Sequence, residues 1–118
     1  MIADAMATLA MENVDRIYER NRGIVKTNFE ILSDWVGDEP LIEWVPPRAS
    51  TVAFLKYGLG ITSVELCLRL MEEKDVLLVP GTCFGLEGFL RIGWGGDAET
   101  LKEGLSRFKG FLDDYRDP

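Results

Sequence analysis

From Asp4 to Val36 the chain carries no proline, and Gly23 is its only glycine. Within that stretch Met6, Leu9, Val14, Ile17, Ile24, Ile31, Leu32 and Trp35 recur at steps close to the helical period. A run this long without a breaker predicts one continuous helix, roughly 45–50 Å long at 1.5 Å per residue. Gly37-Asp38-Glu39-Pro40 then stops it, a glycine followed by a proline being a strong helix end. A chain of 118 residues is enough for one domain and too short for two ordinary ones. A helix of that length outruns such a domain, so it is expected to extend past its own core and pack on something else.

The remaining elements are shorter. Leu41 to Val45 alternates loosely as a strand and is closed by Pro46-Pro47. Thr51 to Tyr57 is β-branched and aromatic, with Gly58 and Gly60 behind it. Thr62-Ser63-Val64-Glu65 has the spacing of a capping box, Thr62 as N-cap and Glu65 reaching back. The helix it opens places Leu66, Leu70 and Met71 on one face and ends near Lys74. Val76 to Val79 reads as a short buried strand stopped by Pro80-Gly81, and Gly88 to Trp94 as another. Asp97 can cap a last helix whose core face is Leu101, Leu105, Phe108, Leu112 and Tyr115. The order predicts an α+β fold: a small, mostly antiparallel sheet with helices packed on one face, preceded by a long N-terminal helix. Residues 1–37 form the helix and 38–118 the α/β unit, one domain overall.

Composition removes several function classes. Twenty acidic residues against thirteen basic ones give a net charge of −7, and no basic stripe offsets it. Nucleic-acid affinity rests on phosphate neutralisation, so a nucleic-acid partner is not expected. There is no histidine, which excludes a histidine general base, a Ser-His-Asp triad and a His-ligated metal. Two cysteines make no disulfide scaffold. The densest apolar run is Val76 to Val79, far short of the ~20 residues of a membrane span, and Met1-Ile2-Ala3-Asp4 has no positive signal region. A cytoplasmic protein with reduced thiols, no membrane partner and no metal is expected.

Other polar groups have plain structural readings. Glu12, Asp15, Glu19 and Glu30, with Arg16, Arg20 and Arg22, read as a solvated helix face with i, i+4 pairing. Gly93-Trp94-Gly95-Gly96 lacks phosphate-loop spacing and reads as a strand-to-helix turn. Cys67 reads as core and Cys83 as a buried or idle thiol, while Asp113, Asp114 and Asp117 read as a frayed acidic tail. Trp35, Trp44 and Trp94 read as packing residues rather than a ligand stack.

One pair of segments carries more. Val76-Leu77-Leu78-Val79-Pro80-Gly81-Thr82-Cys83-Phe84, followed by Gly88-Phe89-Leu90-Arg91-Ile92-Gly93, resembles the closing signature of fold-type I pyridoxal-phosphate-dependent aminotransferases of the class I/II family. There a "V-x-V-P-G-x-x-F" strand and turn precedes a "g-x-x-R-i" strand. Pro47 to Phe54 is similar to the family's "P-x-g-g-x-x-x-f" strand, and Ser63 to Met71 and Asp97 to Leu112 resemble its flanking helices. The resemblance implies the C-terminal small domain of such an enzyme. It implies that Arg91 grips the substrate α-carboxylate while the domain closes over the site. The chemistry is sound, since a guanidinium offers a planar fork to a carboxylate, and a strand fixes that fork in place.

The resemblance also implies what this chain lacks. The family's cofactor lysine sits in an "S-x-x-K" setting, and none of Lys26, Lys56, Lys74, Lys102 and Lys109 follows a serine by three residues. No catalytic or cofactor-binding residue is expected here. Pyridoxal phosphate belongs to the full-length enzyme and is not expected on this fragment, which is expected to be inactive alone. Amino acid and 2-oxo acid substrates, and a homo-oligomer, follow from the same resemblance. The alternative is a stand-alone, non-catalytic α+β module that binds a carboxylate metabolite or a protein through Arg91, with Met1, Ile2, Met6, Leu9 and Met11 as a self-association surface.

Overall fold

The computed structural model describes residues 1–116. Helices α1 (Ile2–Glu12) and α2 (Val14–Asp38) come first, then strands β1 (Ile42–Trp44) and β2 (Val52–Tyr57). Helix α3 (Ser63–Lys74), strand β3 (Val79–Pro80), a single 3-10 turn (Gly81–Phe84), strand β4 (Phe89–Gly93) and helix α4 (Ala98–Arg116) follow. The four strands form one sheet in the order β1-β2-β4-β3, and every pairing is antiparallel. The fold is α+β, as the order of apolar patterns requires.

The sheet has one covered and one open face. Ala53, Leu55 and Tyr57 of β2, with Leu90 and Ile92 of β4, are buried under the helices. They meet Leu32 and Val36 of α2, Leu66, Cys67 and Leu70 of α3, and Leu105, Phe108, Phe111 and Leu112 of α4. Their strand neighbours Val52, Phe54, Lys56, Phe89 and Arg91 alternate to the opposite face. The tryptophans pack: Trp35 lies on Phe108 with centroids 5.2 Å apart, and Trp44 and Trp94 both meet Phe29. The Gly93–Gly96 stretch is indeed a turn, fastened to α2 by Asn28, whose amide donates to the carbonyls of Trp94 (2.7 Å) and Gly96 (2.8 Å).

Five local expectations are corrected. The N-terminal helix is not continuous but breaks at Asn13, whose side-chain amide bonds back to the Leu9 carbonyl at 2.8 Å. Asparagine competes locally with helical backbone bonds, and here it wins. The strand expected over Val76–Val79 begins only at Val79. Asp75 takes the left-handed conformation, and the Val76 N–H turns back to the Leu70 carbonyl (3.1 Å), closing α3 instead of joining the ladder. Met71 is exposed and Phe111 is buried, so the core stripes of α3 and α4 are each rotated slightly from expectation. Asp113 and Asp114 are helical rather than frayed, paired with Lys109 and Arg116 and with Lys74 respectively. Asp117 lies outside the described residues. On α2, Asp15, Glu19, Glu30, Arg16, Arg20 and Arg22 are exposed, yet none makes an ion pair among the described residues.

No helix among the described residues is long and apolar enough to cross a membrane. No cluster of metal-ligating side chains occurs among them either.

Candidate functional site

Arg91 sits in the middle of β4, with neighbours on both sides. Its register partners are Phe54 on β2 and Val79 on β3. Directly opposed residues share a face, so Phe54 and Arg91 lie together on the open side of the sheet. The guanidinium carbon of Arg91 lies over the Phe84 ring, 5.2 Å from its centroid. Phe84 in turn meets Phe54 edge to face, with centroids 5.3 Å apart and planes 78° apart. Arg91 is half-buried and takes part in no ion pair or side-chain hydrogen bond among the described residues. A surface arginine neutralised by a neighbouring carboxylate would look different. Here the charged fork is held by an aromatic face, and its N–H donors are free to take a planar anion.

The turn that carries Phe84 is tightly fixed. A side chain at Gly81 would lie 2.0 Å from the Leu86 carbonyl oxygen and 2.5 Å from that of Phe89, so the chain can pass there only as glycine. Gly85, at φ +71°, closes the turn in the left-handed region. Beyond it, the Glu87 carboxylate accepts from the Ser63 N–H (2.7 Å), the Ser63 hydroxyl (3.2 Å), the Tyr57 hydroxyl (3.0 Å) and the Gly88 N–H (3.1 Å). These donors, the Ser63 and Gly88 N–H groups foremost, hold the Glu87 carboxyl below its ordinary value. Burial and the bond to Glu87 push the Tyr57 hydroxyl up to about 12.

Helix α3 begins as expected at Thr62, whose hydroxyl accepts the Glu65 N–H at 3.2 Å. The reciprocal half of the capping box, Glu65 back to the Thr62 N–H, is not made; the next N–H, that of Ser63, is taken by Glu87 from twenty-four residues away. Asp97 caps α4 through the Thr100 N–H (3.0 Å) and hydroxyl (3.2 Å), which lower its carboxyl. Neither Glu87 nor Asn28 announces itself by a motif. Asn28 did leave a signal, a polar residue in the stripe Val25, Leu32, Val36.

None of the lysines suits a cofactor lysine, which needs a desolvated environment. Lys26 is exposed, and Lys56, Lys74, Lys102 and Lys109 are ion-paired with Glu43, Asp114, Glu99 and Asp113. The described residues therefore do not fit pyridoxal phosphate. Cys67 is buried, and burial pushes its thiol up to about 11; Cys83 is not buried but exposed, carried on the 3-10 turn. Ser50 takes φ 84°, the left-handed region that favours glycine, where the resembling "P-x-g-g" pattern carries one.

Comparisons with known proteins bear on the family and the fold. The family model for aminotransferase class I and II matches residues 3–108. The probable aminotransferase TAT2 of Arabidopsis thaliana is 28% identical over 116 residues, 93% of this chain and 28% of its own. Cystathionine beta-lyase PatB of Bacillus subtilis is 36% identical over 76 residues, 62% of this chain and 20% of its own. A crystal structure of a PLP-dependent aminotransferase from Streptococcus suis superposes with a TM-score of 0.95 at 36% identity, over 97% of this chain and 30% of that one. The chain thus spans less than a third of the length of each of these proteins. With a family model matched over most of its length and a sheet, turn and arginine arranged as above, the chain belongs to the class I and II aminotransferase family.

Proposed function

We propose that this chain acts as the C-terminal small domain of a pyridoxal-phosphate-dependent aminotransferase and that Arg91 binds the α-carboxylate of the amino acid and 2-oxo acid substrates. The observation that carries this is the unpaired guanidinium of Arg91, half-buried on the open sheet face and backed by Phe84. One carboxylate clamp serves both substrates, because an amino acid and its 2-oxo acid share that group. Pyridoxal phosphate, when bound by the whole enzyme, supplies the electron sink for the chemistry at the α-carbon. This chain's part is to bind and orient, and, with α1 and the first half of α2 joining it to the rest, to close over the site. It holds no group that could carry the cofactor, so alone it is inactive. Within residues 1–37 the connection is then α1 and the first half of α2, while the second half of α2, through Leu32 and Val36, moves with residues 38–118.

The test is Arg91→Lys in the full-length protein, which keeps the charge and removes the fork. A charge-assisted bidentate contact is worth about 1.5–3 kcal/mol, so kcat/KM for amino acids falls by about one to two orders of magnitude. An unchanged kcat/KM sinks the carboxylate role. The reaction itself is read from the products. Formation of a 2-oxo acid with transfer of the amino group supports the aminotransferase, whereas β-elimination products point to a lyase such as PatB. An endogenous protein with an intact mass near 13.3 kDa would instead favour the stand-alone module.

A further inference from the structure

We infer that Phe84 is a positioning residue for Arg91, an aromatic platform that holds the guanidinium ready for a carboxylate; this rests on the carboxylate-binding role proposed above. Arginine has a long side chain and loses rotamer freedom when it grips an anion. A platform that orders the side chain beforehand removes part of that cost. The structure supplies one without spending any donor. Phe84 contacts Arg91 through its ring face, 5.2 Å from the guanidinium carbon, so the N–H groups stay available. The platform is itself in contact with Phe54, 5.3 Å away with the two rings at 78°.

The ring is not on a mobile side of the molecule. Its turn is locked at one end by Gly81, whose α-carbon lies against the carbonyls of Leu86 and Phe89. At the other end the four hydrogen bonds of Glu87 tie it to the start of α3 and to β2. Phe84 nevertheless remains 46% exposed, more than a core packing residue would be. An exposed phenylalanine on a rigid turn, over the one unpaired arginine of the sheet among the described residues, is placed for that arginine and not for stability.

The experiment compares Phe84→Leu, Phe84→Tyr and Phe84→Trp with Arg91→Lys in the full-length, cofactor-loaded enzyme. The readouts are KM against kcat for the best amino donor of a panel, with the melting temperature of each variant. Phe84→Leu raises KM roughly five- to tenfold, the scale of a partly desolvated cation–aromatic contact, and leaves kcat within about twofold. Phe84→Tyr and Phe84→Trp, which keep a π face, restore KM, while all variants melt close to the parent. If KM in Phe84→Leu equals that of the parent, the platform role is wrong. It is equally wrong if the aromatic variants are as impaired as leucine. Should leucine at this position prevent folding, the aromatic pair decides alone, since a platform predicts near-parent KM in both. A KM unchanged in Arg91→Lys overturns the carboxylate reading itself; a raised KM there with none in Phe84→Leu overturns only the platform.

Discussion

At Gly81 the backbone of the 3-10 turn passes so close to the Leu86 and Phe89 carbonyls that a methyl group would overlap both. Both obstacles are backbone, and backbone cannot rotate aside as a side chain can. Gly81→Ala should therefore destabilise the protein by about 3 kcal/mol, at the upper end of overpacking costs. Chemical denaturation with an unchanged m-value would register it, and a midpoint within error of the parent would contradict it. Arg91 and Gly81 were both legible in the sequence, inside the Pro-Gly-Phe and Arg pattern. The role of Phe84 was not, because a motif gives the presence of a ring and not the guanidinium it faces. Glu87 was equally silent, since its partners Ser63 and Tyr57 lie twenty-four and thirty residues away.

At the scale of elements, Glu87 joins three pieces: β2 through Tyr57, α3 through Ser63, and the loop before β4 through Gly88. The native state favours its ionised form and lowers its pKa from the ordinary 4.5. A depressed carboxyl gives stability that is complete above the unfolded value and lost as pH falls through the folded one. Glu87→Gln removes the charge at every pH. Its melting temperature should lie below the parent's at pH 7, and the two curves should converge as the pH drops below the folded value. A gap that stays constant down to that pH would show that Glu87 does not act through its charge. The Glu87 carboxylate also satisfies one of the free N–H groups at the start of α3, that of Ser63, from another element. Likewise β3 is short because Val76 is spent closing α3, a choice made by the left-handed Asp75 rather than by strand propensity.

At the scale of the whole molecule, the radius of gyration is 16.9 Å, against about 13–14 Å for a compact domain of this length. The excess is the N-terminal arm, along the 55 Å axis. Helix α1 buries no residue, and Met1, Ile2, Met6, Leu9 and Met11 are all more than half exposed. Apolar area of this extent tends to be covered by association. Expressed as these 118 residues, the protein should self-associate through this arm, and Leu9→Glu should shift it toward 13.3 kDa in sedimentation velocity. A parent that sediments as a monomer across a wide concentration range would refute this.

The sequence by itself determined the order of the elements and the antiparallel α+β arrangement, and it singled out Arg91, because hydrophobic period, glycine, proline and a short motif are local properties of the chain. It also determined the length of the N-terminal arm to within one break, at Asn13. Only the tertiary structure decided which face of the sheet stays open, that Arg91 has no carboxylate beside it, and that Phe84 lies over its guanidinium. The same holds for the Glu87 bonds, the Asn28 clamp on the Gly93–Gly96 turn and the pairing of buried Glu39 with Arg116 and Lys109. Most of these join residues far apart along the chain, and even Phe84 and Arg91, seven residues apart, meet only because the 3-10 turn folds back over β4. Their proximity depends on how the strands register, the turn folds and the helices pack, and the local pattern of the sequence does not state it.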